Sequence, residues 1–141
     1  MHQEGFIKHQ EQYIFPCVFI YTDDGISVYY PDLDGCVTFG IDEHQAFRNA
    51  KEALALHLYG MEQDNDPIPQ PSRIKDIALD DNEQALLLEV SMPALRAKQA
   101  NKLVKKTLTI PEWLNIIAEN NGVNFSQLLQ TALKQHLQLN T

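Results

Sequence analysis

Val104-Lys-Lys-Thr-Leu-Thr-Ile-Pro111 is a short alternating stretch closed by proline, and the fold turns on how it is read. Successive strand residues face opposite sides, so Leu108 and Ile110 share one face while Lys105, Thr107 and Thr109 share the other. Two helical patterns follow, separated by Gly122, which can supply the left-handed residue that ends a helix. The first runs from Glu112 to Asn121. Pro111 suits its first position, where a missing N–H is no loss, and Leu114, Ile117 and Ala118 form its inward stripe. The second runs from Asn124 to Leu139. Asn124 with Gln127 makes a capping signature, and Leu128, Leu129, Ala132, Leu133 and Leu137 recur at helical spacing. A strand and two helices within residues 104–139 bury too little surface to be stable alone. The strand therefore needs a partner from another chain.

If two copies pair antiparallel, Leu108 and Ile110 of both seal against the helices, and the opposite surface presents Lys105, Thr107 and Thr109 on a two-stranded ribbon. Such a ribbon fits the major groove of B-DNA, where Lys donates to guanine edges and Thr meets a base edge or a thymine methyl. Backbone N–H groups of Asn124, Phe125 and Ser126, at the start of the second helix, are placed to hold a DNA phosphate. At these residues the chain resembles the ribbon-helix-helix (Arc/MetJ-like) superfamily of dimeric DNA-binding repressors. Members often carry a basic residue near the start of the second helix, and Asn124-Phe125-Ser126-Gln127 has none.

Charge divides the chain the same way. Residues 1–95 hold 5 Lys and Arg against 17 Asp and Glu, a net of −12, whereas residues 96–141 hold 6 against 2, a net of +4. Only the basic tail is suited to approach nucleic acid; an acidic body suits a basic partner protein. The 141 residues contain no apolar run long enough for a membrane span and no basic-then-apolar leader after Met1. Cys17 and Cys36 lie in strand-like segments without metal-type spacing, and read as free buried thiols of a cytoplasmic protein.

Upstream, residues 1–12 form a polar lead. Tyr13 to Tyr21 is aromatic and β-branched, a strand covered on both faces, with Pro16 marking a point where one edge is unpaired. Thr22-Asp-Asp-Gly25 is a hairpin turn into a second strand, Ile26 to Tyr30. Tyr30-Pro-Asp-Leu-Asp-Gly-Cys36 connects to a third, Val37 to Gly40. Asp42 with Gln45 caps a helix whose stripe is Ala46, Phe47, Ala50, Ala53, Leu54, His57 and Leu58, and which Gly60 stops. Prolines 67, 69 and 71 hold the next segment extended, with a short turn from Ser72 through Ile77. Ala85 to Val90 is a fourth strand, and residues 93–101 read as a partly helical linker. The expected architecture is a small α+β layer, β-β-β-α-β, over residues 1–92, followed by a dimerisation module over residues 102–141.

The connector Tyr30-Pro-Asp-Leu-Asp-Gly-Cys-Val-Thr-Phe-Gly40, the Ala-rich helix with Ala46, Ala50, Lys51, Glu52, Ala53 and Leu54, and the proline-bearing loop together resemble the N-terminal domain of HicB-type antitoxins. With the tail, the resemblance spans residues 13–139. It implies a truncated ribonuclease-H-like domain that binds a small RNA-cleaving HicA-type toxin, and a C-terminal module that represses the operon encoding both. Asp34 stands where members often have proline.

Asp23, Asp24, Asp32 and Asp34 are the candidate toxin contacts, and the best candidates for catalysis. Two of them could hold Mg²⁺, but all four sit in turns, where aspartate caps its own backbone. His57 has no second ligand one turn away. With no nucleophile elbow, phosphate-cradling loop or metal spacing, the chain is expected to be no enzyme and to need no cofactor. The partners expected are a HicA-type toxin, operator DNA and a second copy of the chain, with a tetramer as a further option. Two other readings stay open at this point: a ligand-sensing repressor without a toxin, and a vestigial Mg²⁺-dependent nuclease.

Overall fold

The computed structural model describes residues 9–101 and 103–139. The polar lead expected over residues 1–12 falls mostly outside them. The chain divides after Lys102 into two compact units.

The first unit contains β1 (Gln12–Thr22), β2 (Gly25–Tyr29), β3 (Val37–Gly40), α1 (Glu43–Gln63), a single 3-10 turn (Ile74–Asp76), β4 (Glu83–Ser91) and α2 (Pro93–Ala100). The strands form one antiparallel sheet in the order β3-β2-β1-β4. β1 is central and apolar on both sides, but β2 pairs it only over Val18–Thr22 while β4 pairs it over Gln12–Ile20. Pro16 therefore lies where the β2-side edge is unpaired, so its missing N–H costs no bond there.

One face of the sheet packs on α1. Phe15, Cys17, Phe19, Ile26, Val28, Leu88 and Val90 meet Ala46, Ala50, Leu54 and Leu58 in a continuous core. On the other face, Phe39, Ser27, Ile20 and Glu83 form one row across the four strands, and Val37, Tyr29, Val18 and Ala85 the next. α1 does not reach this side, yet Pro16 and Val18 on it are buried as fully as Phe15 and Cys17, so β1 is covered on both faces over Phe15–Phe19, as its composition predicts. In the β1–β2 turn, Gly25 has φ +142°, and a Cβ there would come within 2.6 Å of both the Gly40 carbonyl and the Phe39 ring.

Asp42 caps α1 as its spacing predicts, accepting from the Gln45 N–H at 2.8 Å. Two features of α1 differ from expectation. Phe47 is 45% exposed, because the buried stripe is the strict four-residue series Ala46, Ala50, Leu54, Leu58 and Glu62. Gly60 does not stop the helix. A mid-helix glycine costs only about 1 kcal/mol, and continuing past it brings Met61 and Glu62 against the core. The helix ends at Asp64, followed by Asn65 in the left-handed region at φ 57°. Residues 93–100, expected as a partly helical connection, form α2. Its Leu95 packs against the core of the first unit, and Met92 just before it is fully buried.

The second unit contains α3 (Glu112–Asn120) and α4 (Phe125–His136). Pro111 precedes α3 as its cap residue, one position earlier than expected, and its carbonyl accepts from Asn115 N–H to close the first turn. Gly122, at φ +67°, ends the helix in the left-handed conformation; its N–H bonds Glu119 and that of Val123 bonds Ala118. Asn124 caps α4 through Gln127 N–H at 3.0 Å. The helix stops at His136, short of the expected Leu139, with Gln138 at φ 59°. Residues 103–111 have no regular secondary structure in the single chain, so the alternating stretch forms no strand by itself. No residue of α3 or α4 is buried.

Candidate partner and nucleic-acid interfaces

The four aspartates of the first unit are not brought together. Asp23 and Asp24 form the two-residue β1–β2 turn, where Thr22 Oγ1 accepts from Asp24 N–H at 3.3 Å and donates to the Gly25 carbonyl at 3.0 Å. Asp32 and Asp34 lie beyond the far end of β2, about 16 Å away at roughly 3.3 Å per strand residue. The Asp32 carboxylate is used structurally. It accepts from Ser72 N–H at 2.9 Å and Ser72 Oγ at 2.5 Å, tying the proline-rich segment to the β2–β3 connector. Among the described residues, no group of three or more His, Cys, Asp or Glu is arranged to hold a metal ion.

The acidic residues that do converge are those of two turns. Tyr21 N–H bonds the Asn82 carbonyl at 2.9 Å, and Asn82 Nδ2 returns a bond to the Tyr21 carbonyl at 3.1 Å. This sets the Asp23-Asp24 turn beside the Asp80-Asp81 turn, with Glu83 accepting from Asp80 N–H at 2.9 Å. Tyr21 OH donates to Glu43 at 2.6 Å, and that bond to a carboxylate raises the phenol's pKa.

Sequence reading missed the most deeply buried charge. Glu62, 5% exposed, receives two bonds from the Arg96 guanidinium, from Nε at 3.0 Å and from Nη2 at 2.7 Å, and a third from Tyr13 OH at 3.2 Å. Arg96 also donates to the Gln10 carbonyl, and His9 Nδ1 lies 3.9 Å from Glu62. The carboxylate hydrogen bond pushes the Arg96 pKa up; burial does the same for Tyr13. The node joins β1, α1 and α2. Its signal was present: extending the stripe by four from Leu58 lands on Glu62, and only the stop assigned to Gly60 hid it.

The thiols are structural. Burial raises Cys17 to about 12 and Cys36 to about 11, leaving little nucleophilic thiolate near neutrality. Cys36 Sγ donates to the Ala53 carbonyl at 3.7 Å and Tyr30 OH to the Ala50 carbonyl at 2.5 Å, both fastening the β2–β3 connector to α1. Burial raises the Tyr30 pKa as well.

In the second unit, Lys105, Thr107 and Thr109 are exposed, as are Leu108 (60%) and Ile110 (43%) on the alternate positions. Asn124, Phe125 and Ser126 stand at the start of α4, whose first N–H groups have no intrahelical acceptor apart from the Asn124 side-chain cap. Trp113, Ile116, Ile117, Leu128 and Leu133 are each about half exposed or more, so both helices carry apolar faces with nothing packed on them. Lys134 and His136 in the last turn of α4 complement its dipole.

Comparison with known proteins places this architecture. A 14.9 kDa uncharacterized protein of the rep-hol intergenic region of Haemophilus phage HP1 is 34% identical over 62 residues, covering 44% of this chain and 47% of its own length. The chain thus matches about half of that relative. A toxin-antitoxin complex from Streptococcus pneumoniae contains a chain 26% identical, with TM-score 0.52, covering 89% of this chain and 99% of that one. The structure of the antitoxin HicB3 is 29% identical, with TM-score 0.44, covering 87% and 97%. The family model described as "HicB_like antitoxin of bacterial toxin-antitoxin system" matches residues 15–133, nearly the whole chain, and the chain belongs to that family.

Proposed function

We propose that the first unit neutralises a HicA-type RNA-cleaving toxin, and that the second pairs with its copy in another chain to repress the operon encoding both. The first unit is then a truncated ribonuclease-H-like layer with Asp23, Asp24, Asp32 and Asp34 as candidate toxin contacts. The tail is a ribbon-helix-helix module in which Lys105, Thr107 and Thr109 face bases while Asn124, Phe125 and Ser126 face phosphate. The observation carrying the tail's role is that residues 103–139 hold two amphipathic helices and an alternating stretch yet bury no helical residue. Pairing two such stretches would give Leu108 and Ile110 a shared core and turn Lys and Thr outward. The net charge of −12 upstream suits a toxin that must itself be basic to grip RNA.

Two experiments test the two halves. The full chain should shift its own promoter DNA specifically, and Lys105→Ala should weaken that binding by about 1–3 kcal/mol with relaxed preference at one base position. A uniform loss across sequences would reassign Lys105 to phosphate, and no specific shift by the wild-type chain would end the repressor reading. Truncation before Lys102 should remove DNA binding and leave toxin binding intact. Loss of both would contradict the division of labour.

A further inference from the structure

Asn121-Gly122 is the only Asn-Gly pair in the sequence, and it stands exposed where α3 ends. Glycine has no side chain to shield its backbone nitrogen from the asparagine before it. That nitrogen is therefore free to attack Asn121 Cγ. The N–Cγ bond forms, the Cγ–Nδ2 bond breaks, the attacking nitrogen gives up its proton, and the side-chain amide leaves as ammonia. Water then opens the resulting cyclic imide at either carbonyl, giving aspartate or, with the main chain rerouted through Cβ, isoaspartate.

The folded end of α3 opposes the first step in three ways. At ψ 10° for Asn121, the Gly122 nitrogen nearly eclipses Asn121's own nitrogen, whereas ring closure requires it to eclipse Cβ. Gly122 N–H is engaged by the Glu119 carbonyl at 3.1 Å, and the next N–H, of Val123, by the Ala118 carbonyl at 3.1 Å. Asn121 Nδ2 donates to the Ile117 carbonyl at 2.8 Å, which holds the side-chain amide back along the helix. All three restraints last only as long as the last turn of α3.

That turn is not secured within the chain. α3 has nine residues and none is buried, and an isolated helix of that length is marginal in water. Fraying of a helix end needs no global unfolding. Ile117 and Ala118, whose carbonyls hold the cap, lie on the apolar stripe that a second tail would cover, so pairing secures the same turn. The products in turn weaken it. A carboxylate at the C-terminal end of a helix opposes the dipole, and isoaspartate lengthens the main chain, which moves the Gly122 and Val123 N–H groups off their carbonyls.

We propose that Asn121-Gly122 is a self-deamidating site gated by pairing of the tail, so that chains left unpaired are converted and thereafter pair more weakly. The site follows from this chain's own residues, and the gate rests on the pairing proposed above.

The test ages the full chain at mildly alkaline pH and follows Asn121 by mass spectrometry of the tryptic peptide spanning residues 107–134, in which Asn115, Asn120 and Asn124 serve as internal references. Asn121 should convert faster than the other three. With about nine chains in ten paired, conversion should be roughly tenfold slower than in the dilute chain, because only the unpaired fraction opens freely. Leu133→Asp should convert at the dilute rate at either concentration. After ageing while dilute, the wild-type chain should dimerise more weakly in sedimentation, and Asn121→Gln, whose longer side chain closes the imide ring far more slowly, should not. Conversion of Asn121 no faster than that of its three neighbours in the dilute chain would overturn the site. Equal conversion in samples that sedimentation shows to be monomer and dimer would overturn the gate and leave the pairing reading standing. A wild-type chain that stays monomeric at every concentration would remove the pairing reading and the gate with it.

Discussion

The two units solve the same problem with opposite completeness. Residues 9–101 close a core in which Phe15, Leu54, Leu58 and Leu88 are each under 2% exposed, whereas α3 and α4 bury no residue despite apolar spacing at least as regular as that of α1. Periodicity specifies that a face must be covered; it does not specify whether the cover is in the same chain. The first unit covers its central strand from within the chain, whereas the helices of the second leave their apolar faces uncovered.

The largest effect expected from this contrast comes from charging the tail's apolar stripe. Leu133→Asp should abolish dimerisation measured by sedimentation, while the thermal transition of the first unit stays where it was. Leu54→Ala should do the reverse, destabilising the first unit by about 2–5 kcal/mol at every protein concentration and leaving the dimer intact. A Leu133→Asp chain that still dimerises would show that the tail is not the site of pairing.

A smaller effect sharpens the boundary between the units. Arg96→Ala leaves the Glu62 carboxylate buried with the Tyr13 hydroxyl as its remaining hydrogen-bond donor and His9 Nδ1 3.9 Å away, and should cost the first unit about 2–4 kcal/mol in urea unfolding. It should also loosen α2. An eight-residue helix is too short to persist alone, and this one has no buried residue of its own. Faster tryptic cleavage after Lys98 reads that loosening directly. Replacing both partners by apolar groups, Glu62→Leu with Arg96→Met, should recover much of the lost stability, because no unpaired charge is then left inside. If the double replacement is as damaging as Arg96→Ala, packing at Arg96, and not its charge, holds α2.

What could be read from the sequence follows the range of the interactions. The caps at Asp42 and Asn124, the Asp23-Asp24 hairpin, the left-handed Gly122 and the burial of Cys17 and Cys36 are local or compositional, and each stands in the structure as the residues predict. Long-range features were hidden. Nothing near Glu62 announces that Arg96, 34 residues later, will neutralise it. The spacing of the four aspartates along the chain also conceals that β2 holds two of them apart from the others. Gly60 misled for an energetic reason: its penalty of about 1 kcal/mol is smaller than what another helical turn gains from packing Met61 and burying a satisfied Glu62.

The finest test uses one chemical change in both units. Asp42→Ala and Asn124→Ala each remove a side-chain acceptor from a helix's first turn, at 2.8 Å and 3.0 Å respectively, and each cap is worth about 1 kcal/mol per helix. In the first unit that loss should appear once, as lower stability independent of concentration. In the second it should appear twice, because a symmetric dimer whose folding is coupled to association loses both caps together. About 2 kcal/mol per dimer corresponds to a dissociation constant raised roughly thirtyfold. Sedimentation of Asn124→Ala over a concentration series measures it. An unchanged dissociation constant would mean that the tail folds before it pairs, since the cap is then lost equally from monomer and dimer, and that its exposed helical faces are tolerated in the monomer.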